Sequence, residues 1–138
     1  MSDALIYPLL VQVALTFALL IANGLMRSHA VGSGAVKPVD IVLGQRAWPQ
    51  RVQQVSNAFQ NQMETPTLFY VGVVLAVILE IGGPVLLGLA CLWSGLRLLH
   101  AYVHVTSNHL RWRFLSFVAG VIILMAFWAV LVVGLVTR

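Results

Sequence analysis

The chain has 138 residues, of which 60% are hydrophobic and only 9% charged, with a mean hydropathy of +0.94. A water-soluble fold of this size has too little interior to hide that much apolar surface, so the composition excludes an ordinary soluble domain. The net charge of +4 is small and scattered, which excludes a nucleic-acid footprint and leaves Lys and Arg as topology signals.

An all-α integral membrane four-helix bundle in a single domain, residues 1–138, is predicted. Crossing the roughly 30 Å hydrocarbon layer takes about 20 helical residues. The first helix is expected over residues 4–26. Its Gln12, Thr16 and Asn23 fall near one face, which should turn toward other helices, where polar side chains find partners. No cleavable signal peptide is expected, because the apolar stretch is too long for one and Asp3 rather than a cation precedes it. From 27 to 48 the chain turns to Gly, Ser, Pro and isolated charges, a loop long enough to suggest a lid or a subunit contact.

The second helix is expected over 49–82, opened by Pro49 and bent at Pro66. Gly82-Gly83-Pro84 then reverses the chain into a third helix over 85–106, and a short loop leads to a fourth over 113–137. Arg27, Lys37, Arg46, Arg51, Arg111 and Arg113 share the side of the first and third loops. The positive-inside rule puts those loops in the cytoplasm and both termini outside. Cys91 is expected to be a buried, inert thiol. Glu80 sits beside the far turn, within reach of water, and Trp48, Trp93, Trp112 and Trp128 are expected as packing or interfacial aromatics.

Ionisable groups inside a span cost roughly 2.5–3.5 kcal/mol each on insertion scales, so those present need a reason. Asn57, Asn61 and Glu64 are expected to stack on one face of the second helix, and Arg97, His100 and His104 on one face of the next. Folding the hairpin about Gly83-Pro84 brings Glu64 level with Val103 and Asn61 level with Thr106. Arg111 and Arg113 open the last helix near the same depth. Three readings fit: a Glu64–Arg97 ion pair with histidines satisfied in the core; a polar pocket for an anionic ligand beside a lipophilic one; or a metal site of His100, His104 and Glu64. The metal reading is the weakest, lacking a His-Glu-x-x-His pattern.

The segment Asn57-Ala58-Phe59-Gln60-Asn61-Gln62-Met63-Glu64 resembles the signature opening the second helix of the MAPEG family, membrane-associated proteins of eicosanoid and glutathione metabolism. Arg97-Leu98-Leu99-His100 followed by His104 is similar to the family's third-helix pattern, and Arg113 stands where an arginine opens the fourth. The resemblance covers essentially the whole chain. It implies a homotrimer that holds glutathione at its subunit interfaces, with Asn61, Glu64, Arg97, His100 and His104 as the binding set. Arg113 would be the catalytic group, stabilising the thiolate. The implied activity is a glutathione-dependent transferase or peroxidase acting on a lipophilic electrophile from the bilayer. Asn57 and Gln60 stand where glutathione-using members carry arginines, Phe59 where a histidine is usual, and His104 where a tyrosine is usual. Each lost charge-assisted contact is worth roughly 1.5–3 kcal/mol, and these departures point to the alternative of a non-catalytic lipid-binding member.

Overall fold

The computed structural model describes residues 2–137. A 3-10 turn, Ser2–Leu5, leads into α1, Ile6–Gly32. Then come α2, Gln50–Gln60; α3, Thr65–Ile78; α4, Pro84–Val105; and α5, Leu110–Val136. Among the described residues there is no strand. Three helical segments, Ser2–Gly32, Pro84–Val105 and Leu110–Val136, are long and apolar enough to cross a membrane. The expected fourth crossing differs. At 1.5 Å per residue α3 is only about 21 Å long, so this column of the bundle is completed by α2 and the turn that joins it to α3.

That join is a break rather than a bend. Residues Asn61–Met63 tighten into a 3-10 turn, and Glu64 takes an irregular φ of −98° and ψ of −104°. The cause lies in Pro66, which has no N–H to offer the Gln62 carbonyl and whose ring crowds the preceding turn. The expected helix over 49–82 is therefore divided, and the expected stack of Asn57, Asn61 and Glu64 on one face does not form. The other limits move less. The first helix runs six residues further, to Gly32, because Arg27 to Gly32 contains no proline and its single internal break signal is the glycine itself. The last begins at Leu110 rather than 113. The reversal occupies Leu79–Gly83, with Gly83 at φ +154°, and is centred on Ile81 rather than on Gly83-Pro84. The two columns shift accordingly, and Gln54, not Asn61, reaches the Thr106 carbonyl.

Packing holds the columns in order α1 against α2 and α4, α4 against α5, and α3 between α1 and α5. Phe69 of α3 stacks on Trp93 of α4 with ring centroids 4.1 Å apart and meets Phe127 of α5 at 5.7 Å. Gly72 allows this close approach, since a Cβ there would lie 2.7 Å from the Phe127 ring. The predicted inward stripe of α1 is present: Gln12 and Asn23 are buried, and Thr16 bonds the Tyr70 hydroxyl. Cys91, in contrast, is exposed on the outer face of α4, not buried.

In the apolar core the Gln12 amide donates to the Gln62 side-chain oxygen, and both residues are fully buried. This bond fastens the 3-10 turn to α1. A Gln62→Leu substitution strands the Gln12 amide and should cost about 1–3 kcal/mol. Adding Gln12→Leu should recover most of the loss, a coupling readable in a double-mutant cycle of melting temperatures in detergent.

Candidate functional site

The polar residues singled out in the sequence gather where the break in the α2–α3 column meets the last two turns of α4 and the first turn of α5. Arg97 and His104 are each 2% exposed and His100 3%, so all three side chains are sealed inside the single chain. The Arg97 Nη2 donates to the Asn61 carbonyl at 2.9 Å. The expected ion pair with Glu64 is not made: at the break the Glu64 side chain turns outward and is exposed. Asn61 Nδ2 lies 3.4 Å from His104 Nδ1. An amide nitrogen only donates, so His104 Nδ1 is the acceptor and Nε2 carries its proton.

His100 is fixed in the opposite sense. Its Nδ1 lies 3.0 Å from the Arg113 carbonyl and 3.2 Å from the Ser116 hydroxyl. A carbonyl only accepts, so Nδ1 holds the proton and Nε2 is left as a lone-pair acceptor. That Nε2 is buried with no partner, as is the Nε–H of Arg97. Unpaired buried polar atoms are scarce in folded proteins because each one carries its full desolvation cost. Here an unused donor and an unused acceptor stand one helical turn apart.

Beside them a cleft of about 210 Å³ is lined by Asn61, His100, Leu110, Arg113, Phe114 and Phe117. Arg113 is half-buried, and its Nη1 is steadied by the Asn108 side-chain oxygen at 2.6 Å. The cleft thus sets a cation, an amide and an imidazole against an apolar wall. Of the predicted site residues it brings together Asn61, His100 and Arg113; Arg97 and His104 stand behind as bonded neighbours, and Glu64 is apart. Phe114 and Phe117 were not singled out in the sequence, although Arg113 and Phe117 share a helical face at a spacing of four. The metal reading finds no support in the geometry, since no group of three His, Cys, Asp or Glu that would hold an ion occurs among the described residues.

Asn57 and Gln60 do not border this cleft. They line a larger cavity on the other flank of α2, of about 530 Å³, between α1, α2 and the loop that joins them. A third cavity, about 400 Å³ and almost wholly apolar, lies between α3 and α5 against Leu68, Met125 and Trp128.

A buried guanidinium held by one backbone carbonyl is a poor structural strut, because its desolvation cost exceeds what a single acceptor returns. Arg97→Met should therefore leave the melting temperature of the purified protein equal to or above wild type. A clear fall in melting temperature would instead make the Arg97–Asn61 bond structural.

No curated protein and no solved structure matches the chain. A family model described as the MAPEG family does match, over residues 5–133. With the bundle, the motif residues and this nearly complete coverage in agreement, the chain belongs to the MAPEG family, integral membrane proteins of glutathione and eicosanoid metabolism.

Proposed function

We propose that this protein is a glutathione-dependent transferase or peroxidase acting on a lipophilic electrophile drawn from the bilayer, with Arg113 as its catalytic group. The observation that carries the reading is the cleft itself, where the Arg113 guanidinium faces Asn61 and His100 on one side and Leu110, Phe114 and Phe117 on the other. Such a boundary suits a reaction between a polar thiol and an apolar partner.

The lining residues fit the thiol end of glutathione. When bound, glutathione supplies the nucleophilic thiolate. The Arg113 cation favours the ionised over the neutral thiol, and its tether to Asn108 spares it reorientation as charge develops. His100 lines the cleft beside Arg113, while Arg97 braces Asn61 from behind. Phe114 and Phe117 exclude water and give a lipophilic electrophile a surface on which to lie.

Glu64 supports a further part of the reading, the homotrimer. An exposed carboxylate beside an apolar helix costs roughly 2.5–3.5 kcal/mol in a bilayer, and a second copy packed over the break would cover it. There Glu64 can reach the glutathione amine from the subunit boundary. By the distribution of arginines, the site lies toward the cytoplasmic face, with both chain termini on the other side. The second reading, a non-catalytic lipid-binding protein, draws on the apolar cavity between α3 and α5 and on the uncharged Asn57 and Gln60.

Glutathione added to the purified protein should produce the ultraviolet absorbance of a bound thiolate, and Arg113→Ala should abolish it. With a lipophilic electrophile, the same variant should lose roughly 10²–10³-fold in kcat, the range for removing one charge-stabilising donor. A protein that copurifies with lipid and gives no thiolate signal at any glutathione concentration would fit the second reading instead.

A further inference from the structure

The first turns of α5 carry two faces of different use. Leu110, Arg113, Phe114 and Phe117 line the cleft on one side, and Trp112, Leu115 and Ser116 fall on the other. With Leu99 and Val103 of α4, these last three enclose a groove of about 380 Å³. The groove opens outward, since Leu99 is 51% exposed and Trp112 63%. Ser116 is the single polar residue in its lining, and its hydroxyl turns back to the Trp112 and Arg113 carbonyls at 2.9 and 3.0 Å. The wall is therefore apolar in effect and asks for a hydrocarbon occupant. Gly95 lies one turn before Leu99 on α4, is exposed, and has open space where a Cβ would stand. Room thus remains for a chain that runs on toward the middle of the bilayer.

The other end of the groove, beside the loop between α4 and α5, identifies the occupant. Tyr102 and Trp112 are exposed there, two aromatics of the kind that settle at headgroup level. Arg111 stands one turn ahead of Leu115 on the same helical face. It is exposed and makes no hydrogen bond among the described residues. From Ile81 to Arg138 the sequence contains no acidic residue, so neither helix nor the loop between them supplies a carboxylate to neutralise it. A free cation above an apolar furrow, with aromatics at its rim, is the complement of a phospholipid of net negative charge.

We infer that the outward groove between α4 and α5 holds an acyl chain of an anionic phospholipid, with the lipid phosphate on Arg111 and its glycerol region between Tyr102 and Trp112. Helix α5 stands between this groove and the Arg113 cleft.

Native mass spectrometry of the full chain in detergent, titrated with phosphatidylglycerol or phosphatidylcholine, tests the site. Wild type should retain phosphatidylglycerol in preference. Arg111→Gln breaks no internal hydrogen bond and should lower the affinity for phosphatidylglycerol about fivefold, the worth of one basic residue at an anionic lipid surface. Its effect on phosphatidylcholine should be smaller. Leu99→Trp fills the groove and should reduce phosphatidylglycerol retention, whereas Leu98→Trp, at an exposed position of α4 outside the groove, should leave it unchanged. Because Arg111 is a surface side chain, its variant reads the site even where Leu99→Trp does not fold. Equal retention of the two lipids by wild type, no effect of Arg111→Gln, or the same retention in both tryptophan variants would overturn the site. A change in the number of chains per particle in Leu99→Trp, with phosphatidylglycerol still retained, would assign the groove to a second copy of the chain and overturn the lipid.

Discussion

One missing hydrogen-bond donor organises much of this bundle. Pro66 cannot offer an N–H to Gln62, so a helix that could have crossed the membrane in one piece is cut, and the residues just before the cut are released to find partners elsewhere. Gln62 turns into the core and meets Gln12 of α1. The Asn61 carbonyl meets Arg97 of α4, and the Asn61 amide meets His104. Three columns are thus tied together at one depth by residues that an unbroken helix would have committed to its own ladder or spread around its surface. The same cut re-aims α2, so that Asn61 addresses one cavity and Asn57 with Gln60 the other.

Polar side chains in a bilayer protein are tolerated where they find partners within the bundle, and most here do. Ser94 donates to the Pro8 carbonyl, Thr16 bonds Tyr70, and Asn23, Ser56 and Arg27 form a continuous chain. These bonds set the register of α1 against its neighbours. Against that background the cluster at the head of α5 differs in kind. His100 spends one nitrogen on the backbone of α5 and keeps the other idle, while Arg97 spends one arm and keeps Nε idle. Bundle stability alone would favour apolar side chains at both positions, which is why the cluster reads as a ligand site.

Sequence reasoning reached the architecture because it rests on period and composition. The long apolar stretches of α1, α4 and α5 are unmistakable, and the polar stripe of α1 follows from spacing alone. It failed where a local backbone choice redirects side chains. Pro66 announces a distortion, but not whether the helix bends and continues or stops for a turn. That difference decides whether Glu64 stacks over Asn61 or faces outward. The turn at Leu79–Gly83 likewise contains a left-handed Glu80 at φ +55°, which no glycine or proline marks, and its position fixed the relative heights of the two columns. Trp48 over Arg27 was illegible because 20 residues of chain lie between them, and only the folded loop brings them together.

The two arginines nearest the two polar cavities differ in how they are held, and the difference bears on what each can do. Arg113 is steadied by one contact to a loop side chain, Asn108, and stays half-exposed, so its charge is available to a group entering the cleft. Arg27 is pinned by an aromatic face and a buried hydroxyl that is itself hydrogen-bonded, an arrangement that fixes its direction. The absence of arginines at 57 and 60 therefore does not leave α2 without electrostatic company. Positive charge on that flank comes from α1 and the loop, and it reaches a cavity other than the one where Arg113 stands. On the proposed reading, the carboxylate anchors on α2 are missing while the thiol-facing cation on α5 remains in place. Affinity for the ends of the tripeptide and activation of its sulfur would, on that reading, fall to different helices, so a change in one need not carry the other with it.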